Sequence, residues 1–185
     1  MSQQENIKME SQMRESQMRE SQMKPRNNVS INILNHFTSE KHKVVNEKLI
    51  KKNNVVIDSD FIFHNLCFNL ENTNNVLLDY RYFKIFITPD KYELVFEYFY
   101  KLIKQVLENH DNFNIYIYMK TLSLRDIERY YTFICRISQI MKTDFEDKME
   151  KCYIYNAPFV FSQLIKLISK FIDKKTQDKI QLVDE

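Results

Sequence analysis

A chain of 185 residues, 44% of them hydrophobic, is long enough for one domain with a substantial core. Its 27 Lys and Arg are nearly balanced by 25 Asp and Glu, which argues against a nucleic-acid partner because such proteins carry a basic excess on one face. Glycine is absent, so the glycine-rich loops of dinucleotide-binding and P-loop proteins are not expected. Turns with positive φ have to use Asn or Asp, for example at Asn53-Asn54 or Asn74-Asn75.

The cysteines, Cys67, Cys135 and Cys152, are odd in number and share no metal-ligand spacing. We therefore expect reduced, buried thiols in an intracellular protein. The polar N-terminus lacks the apolar segment of a secretory signal, and every apolar run is interrupted before it could span a membrane. These features predict a soluble, cytoplasmic protein.

Residues 1–29 are distinct from the rest because they contain the repeated pentad ESQMR, ESQMR, ESQMK. Five residues turn a helix by about 500°, so successive Met side chains would lie about 140° apart and form no apolar stripe. The pattern is typical of a disordered low-complexity tail. A Met-rich segment that folds on a partner or a membrane is the alternative.

Residues 30–75 are predicted to form a helix and an irregular lead-in. The helix should cover 31–51, with Ser30 as its cap. Val55–Ile57 and Phe61–Phe63 fit short strands or a loop that covers the core, and Leu70–Asn75 is predicted to be a polar connector.

From Val76 to the end, residues 76–185, predicted strands and helices alternate. Strands are expected at Tyr82–Ile87, Phe113–Met119, Cys152–Tyr155 and Ile180–Val183. Helices should start at Thr88-Pro89-Asp90, Ser123 and Pro158, and the first two should end near Glu108 and Lys142. This alternation predicts an α/β fold with a mostly parallel sheet covered by helices on both faces.

Catalytic and metal-binding patterns are not apparent in the sequence. The four histidines, His36, His42, His64 and His110, are scattered, and a GxSxG nucleophile motif is impossible without glycine. Asp58-Ser59-Asp60 is more typical of a solvated turn than of a cation site. We therefore expect no enzyme activity, no cofactor and no metal.

The helix after Pro158 is apolar around most of its circumference. Its apolar residues are Phe159, Val160, Phe161, Leu164, Ile165, Leu167, Ile168, Phe171 and Ile172. A surface helix needs only one apolar stripe, so a second flank has to be buried as well. Either a neighbouring helix or a dimer partner buries it, or it walls a lipid cavity, in which each methylene of the lipid contributes about 0.8 kcal/mol.

The order of elements around Asn156-Ala157-Pro158-Phe159 resembles the CRAL-TRIO family, which includes phosphatidylinositol- and tocopherol-transfer proteins. A strand precedes this segment, and a helix, a charged turn and a short helix follow it. The resemblance extends over 113–183 and is architectural over 76–112. It implies a CRAL-TRIO-like domain over 76–185 that lacks the C-terminal helix and strap with which the family continues.

The same resemblance implies a lipid-binding or lipid-transfer module for phosphatidylinositol, another phospholipid or another hydrophobic ligand, with transient contact to a membrane surface. By position, Asp147 and Lys179 would bind the headgroup, although both also fit ordinary surface charges. The gate helix and pocket wall would be supplied by Phe159, Phe161, Leu164, Ile168 and Phe171. The Ser/Thr pair with which the family contacts phosphatidylcholine headgroups would fall near Phe113 and Ile115, so the resemblance implies that this contact is absent here.

An interaction module is the second hypothesis. The BCH-like branch of the fold is associated with small GTPases and with self-association, and an exposed apolar helix suits a dimer surface.

Overall fold

The computed structural model describes residues 28–38 and 59–183. The tail predicted over residues 1–29 lies outside this part, except for Asn28 and Val29, which begin the first helix. The rest of the helix predicted over 31–51, the possible strand Val55–Ile57 and the Asn53-Asn54 turn also lie outside it.

The described elements alternate between helices and strands. In chain order they are α1 (Asn28–Thr38), α2 (Ser59–Leu66), β1 (Cys67–Asn69), β2 (Asn75–Asp79), α3 (Tyr80–Phe86), a 3-10 turn (Pro89–Lys91), α4 (Tyr92–Asn109), β3 (Phe113–Tyr118), α5 (Leu124–Arg129), α6 (Tyr131–Thr143), β4 (Met149–Tyr155), α7 (Phe161–Ile168), α8 (Lys174–Gln177) and β5 (Ile180–Val183).

The five strands form one sheet in the order β1-β2-β3-β4-β5. Strands β2 to β5 are parallel, and each connection between them contains at least one helix. Strand β1 pairs antiparallel with β2, with Cys67 opposite Leu78. The predicted fold class, α/β with a mostly parallel sheet, is confirmed.

The two faces of the sheet have separate cores. The first face packs against α2 to α7, and its buried strand residues are Cys67, Val76, Phe113, Ile115, Met149, Cys152 and Ile154. The second face carries Leu77, Tyr116, Tyr118 and Tyr155, on which Ile33 and Phe37 of α1 pack.

Arg81 attaches α1 to the second face. It forms an ion pair with the fully buried Asp79 at 2.6 Å and donates a hydrogen bond to the carbonyl of Phe37 at 2.7 Å. Its guanidinium also lies 4.4 Å from the centre of the Tyr118 ring.

The predicted strand Tyr82–Ile87 is wrong, because these residues belong to α3 and the strand is Asn75–Asp79 immediately before it. The Asp79 carboxylate accepts a hydrogen bond from the Arg81 backbone N–H and so caps α3. The cap and the burial of Tyr82 and Phe83 in the first core outweigh the strand propensity of the aromatic residues.

Two further expectations differ from the structure. Phe61–Phe63 lies in α2 rather than in a strand or loop. The helix predicted from Ser123 to Lys142 is two helices, α5 and α6, separated at Tyr130. Its start is as predicted, because the Ser123 and Asp126 side chains form a reciprocal capping box.

Glycine's role in turns is taken by Asn and Asp, as predicted. Among the described residues, Asn72, Asp147 and Asn156 have positive φ, at 58°, 59° and 52°. The positions named from the sequence were wrong at Asn74-Asn75, because neither residue has positive φ and Asn75 begins β2. Within the same ranges, no helix is both long and apolar enough to cross a bilayer.

Candidate functional site

The two charged residues singled out from the sequence lie at the edge of the sheet where β4 and β5 begin. Asp147 is in the turn between α6 and β4, and Lys179 immediately precedes β5. The strands are parallel neighbours, and the Cys152 N–H donates to the Lys179 carbonyl at 3.0 Å. The sheet register therefore brings both side chains to the same edge.

Asp147 faces two lysines. Its Oδ1 lies 2.6 Å from Nζ of Lys175 and 3.8 Å from Nζ of Lys179. Asp147 adopts the left-handed backbone conformation, with φ at 59°, which Asp tolerates better than most residues. The structure thus places the predicted pair together, and it adds Lys175 as the closer partner.

Lys175 is positioned by the short helix α8. The Asp173 carboxylate caps this helix by accepting a hydrogen bond from the Thr176 N–H at 2.6 Å. Lys174 instead pairs with Asp178 at 3.1 Å. Sequence reasoning missed Lys175, although it is the neighbour of Thr176 in the Asp173–Lys179 segment that carried the family resemblance.

The ion pair is exposed, whereas Lys179 is largely covered. The side chains of Asp147 and Lys175 are 62% and 66% exposed, and that of Lys179 is 18% exposed. The hydrogen bond from Lys175 lowers the pKa of Asp147 below its usual value, and the same bond raises the pKa of Lys175. Both groups are therefore charged at neutral pH.

A small pocket of about 20 Å³ adjoins this ion pair. It is lined by the polar residues Lys142, Glu146, Asp147, Asp173, Thr176 and Lys179 and by the apolar residues Met141, Phe145 and Met149, of which Phe145 and Met149 are buried. This volume is enough for about one water molecule. In this conformation the pocket therefore takes at most part of a polar headgroup.

The predicted gate residues lie elsewhere, on and around α7, and none of them lines this pocket. Phe161 and Leu164 are 5% and 7% exposed and belong to the first core. Ile168 and Phe171 are partly buried, whereas Phe159 is 64% exposed. Helix α7 is shorter than the apolar run suggested, and its neighbours include α6.

The turn after α7 is connected to α8 by a side-chain amide. Gln177 donates to the carbonyl of Ile172 at 3.1 Å and to that of Ser169 at 3.5 Å. The end of the predicted gate and the helix that carries Lys175 are therefore joined.

The comparisons with known proteins agree with the fold. The model of the CRAL/TRIO domain matches residues 63–185. The chain therefore belongs to the CRAL/TRIO domain family, and the resemblance seen in the sequence is confirmed.

Individual relatives match over shorter stretches. The Sec14 cytosolic factor of Schizosaccharomyces pombe is 32% identical over 65 residues, which are 35% of this chain and 23% of that protein. The SEC14 cytosolic factor of Yarrowia lipolytica is 34% identical over 64 residues, 35% of this chain and 13% of that protein. The match thus spans less than a quarter of either relative.

A solved structure supports the same architecture. The crystal structure of Sfh5 superimposes with a TM-score of 0.57, covering 83% of this chain and 56% of the Sfh5 chain. Sequence identity is 17%, so this likeness bears on the fold alone.

Proposed function

We propose that the protein is a lipid-binding or lipid-transfer domain that holds a phospholipid or another hydrophobic ligand beneath α7, with the headgroup at Asp147, Lys175 and Lys179. The observation that carries this proposal is the cluster of Asp147, Lys175 and Lys179, which lies beside a small pocket that is also lined by Met141, Phe145 and Met149. This arrangement suits an amphipathic molecule. Membership of the CRAL/TRIO family supports it, because the family includes phosphatidylinositol- and tocopherol-transfer proteins.

The charges favour a headgroup that is both anionic and hydroxylated. The ammonium groups of Lys175 and Lys179 can donate charge-assisted hydrogen bonds to phosphate oxygens. The Asp147 carboxylate repels phosphate but accepts hydrogen bonds from hydroxyl groups. A choline headgroup has no donor for Asp147, whereas an inositol ring has several, so phosphatidylinositol fits this set of groups better than phosphatidylcholine.

The acyl chains require a movement of α7. Phe161 and Leu164 fill the space beside the sheet, and each contributes about 1.5–3 kcal/mol by its burial. Opening without a ligand is therefore unfavourable. A bound acyl chain offsets this cost, because every buried methylene contributes about 0.8 kcal/mol. The turns 156–160 and 169–173 on either side of α7 are the natural hinges.

A cytoplasmic location is part of the same proposal. Cys67, Cys135 and Cys152 form no disulfide with one another, and two of them are buried. Unpaired thiols suit a reducing compartment.

Native mass spectrometry of protein expressed in eukaryotic cells tests lipid binding, and transfer of phosphatidylinositol and phosphatidylcholine between vesicles tests headgroup choice. Lys179→Ala should weaken phosphatidylinositol binding about tenfold or more, since a hydrogen bond to a charged group contributes about 1.5–3 kcal/mol. Lys174→Ala is the matched control, because Lys174 is 83% exposed and pairs with Asp178 instead.

Two results would contradict the proposal. The first is a wild-type protein that carries no lipid and transfers none. The second is a Lys179→Ala variant with unchanged selectivity, which would remove the headgroup assignment. A lipid-free protein that light scattering shows to be a tight dimer would favour the interaction-module hypothesis.

A further inference from the structure

The second face of the sheet carries a continuous aromatic surface. In the parallel register, Tyr116 of β3 lies opposite Tyr153 of β4, and Tyr118 lies opposite Tyr155. The rings of Tyr116 and Tyr153 stack with their centres 4.8 Å apart. Tyr116, Tyr118 and Tyr155 are at most 5% exposed, whereas Tyr153 is only partly buried. The four rings therefore offer a broad apolar surface to whatever packs on this side of the sheet.

Helix α1 is the described helix that packs on this surface. It contributes Ile33 and Phe37, which are buried, and Leu34, which is partly buried. The Phe37 ring stacks on that of Tyr118 at 5.3 Å and lies 6.0 Å from that of Tyr155. Positions i, i+1 and i+4 form one apolar stripe on a helix. The second face thus fits an amphipathic helix whose last turn carries an aromatic residue.

Arg81 provides a polar contact for the end of this helix. Its guanidinium donates to the Phe37 carbonyl at 2.7 Å, in the last turn of α1, where carbonyls have no partner within the helix. The same guanidinium donates to the Asp79 carboxylate at 2.6 Å, so a fully buried acid fixes its position. A cation at this point also faces the negative end of the helix dipole. The second face therefore binds the C-terminal carbonyls of a helix as well as its apolar stripe.

Helix α1 holds this position by few contacts of its own. It has 11 residues, and an isolated helix shorter than about 12–15 residues is marginal in water, so α1 depends on the sheet for its helical form. Asn35, His36 and Thr38 are exposed. Residues 39–58 separate α1 from α2 in the chain, so no short connection ties these two helices together. A more stable helix with the same apolar stripe could therefore compete with α1 for the sheet.

We propose that the second face is a docking site for an amphipathic helix of a partner protein, and that α1 occupies this site as a built-in competitor. A partner helix with apolar residues at i, i+1 and i+4 and its last turn at Arg81 makes the same contacts as α1. If it is longer than α1, it is also the more stable helix. The inference goes beyond the proposed function and does not depend on it, because α7 packs on the opposite face of the sheet.

A fluorescently labelled peptide with the sequence of residues 28–38 is the probe, and its anisotropy measures binding to the full chain. In wild type the peptide should bind poorly, because α1 competes from within the same chain at a high effective concentration. I33D/F37D should displace α1, since carboxylates are costly to bury without partners, and should bind the peptide at least tenfold more tightly. The control N35D/T38D makes the same charge change at exposed positions and should behave like wild type.

Arg81→Lys, added to I33D/F37D, tests the polar contact. Lysine keeps a positive charge beside Asp79 but lacks the planar fork that reaches both this carboxylate and a helix carbonyl. The affinity for the peptide should fall about tenfold, as expected for the loss of a hydrogen bond from a charged group. A peptide that itself carries the I33D/F37D substitutions should bind none of the variants.

Several outcomes would overturn the proposal: no binding of the peptide to I33D/F37D, equal binding to wild type and I33D/F37D, or an affinity that Arg81→Lys leaves unchanged. A wild-type dimer that light scattering detects and that I33D/F37D abolishes would assign the site to α1 of a second copy, and would also overturn it. Should I33D/F37D fail to fold, Phe37→Ala gives the same comparison, because it removes the ring that stacks on Tyr118 without burying a charge.

Discussion

Two lysine–aspartate pairs at opposite edges of the sheet have similar lengths and different surroundings. Lys84 and Asp126 lie 2.9 Å apart at the edge where β2 and β3 end, and their side chains are 35% and 8% exposed. Lys175 and Asp147 lie 2.6 Å apart at the edge where β4 and β5 begin, and both are more than 60% exposed.

The difference shows that distance alone does not decide what an ion pair does. Asp126 also accepts hydrogen bonds from the Ser123 N–H and hydroxyl, at 2.8 and 2.7 Å, so with Lys84 three donors within the protein stabilise its charge. Solvent screens the Asp147 pair, and such pairs contribute little to stability. The Lys84–Asp126 pair, in which the carboxylate is buried, therefore holds α3 against α5, whereas Asp147 and Lys175 can each exchange the other for a ligand.

Replacing Lys84 with Met should have the largest effect on stability. The substitution leaves the Asp126 carboxylate buried without its cation and also removes the hydrogen bond to the Thr121 carbonyl. We expect a loss of about 1–3 kcal/mol, measured by urea denaturation. The Lys91→Met variant is a control, since the 3.4 Å contact of Lys91 with the Phe86 carbonyl involves no carboxylate. Equal losses in both variants would argue against a special role for the buried pair.

Ser123→Ala should have a smaller effect. It removes the capping side chain of α5 but leaves Lys84 on Asp126. We expect about 1 kcal/mol, within the usual range for an N-cap. A loss larger than that of Lys84→Met would show that the cap, rather than the cation, holds this edge together.

The pH dependence of stability should distinguish the buried pair further. Burial alone would raise the pKa of Asp126, but the hydrogen bonds from Lys84 and Ser123 outweigh it and hold the pKa below the ordinary value of 3.8. This contribution is present above that value and is lost as the pH falls through the lowered pKa. In Lys84→Met the Asp126 carboxylate is still desolvated but has lost its cation, so it costs stability only while it is ionised. The difference in free energy of unfolding between Lys84→Met and wild type should therefore narrow as the pH falls. A gap that is constant with pH would contradict this account.

Asp147→Asn should have the smallest effect on stability. Asn keeps the shape of the side chain and tolerates the positive φ, while the charge that faces Lys175 is removed. The urea midpoint should therefore stay unchanged, and phosphatidylinositol selectivity in the transfer assay should fall. A clear loss of stability would mean that the exposed pair is structural after all.

The sequence predicted most of the second half of the fold because its signals are local. The Ser123 cap, the strand Ile180–Val183 and the helix after Pro89 are all where residue patterns place them. The error at Tyr82–Ile87 has a different origin, since aromatic residues suit a strand as well as a buried helix. The cap at Asp79 was the signal that could have corrected it. Strand β1 was missed because three residues are too few for a periodic pattern.

The site was predicted only in part, because local sequence patterns do not specify all of its contacts. Asp147 and Lys179 were found through family resemblance, and the sheet register then explains why they are close. The role of Lys175 depends on how the short helix α8 is oriented, which no local pattern specifies. The predicted gate residues are split between core and surface, because an apolar run does not reveal that Phe159 precedes the helix and points outwards.

The rate at which the Cys152 thiol is modified can report the movement of α7. It is buried on the face of β4 that shares a core with Phe161 and Leu164, and burial raises its pKa to about 12. Only a thiolate exposed to solvent reacts with an alkylating reagent, so this cysteine reacts only while that core is open. Its modification rate, followed beside that of the less buried Cys135, would count opening events in the unaltered wild-type chain.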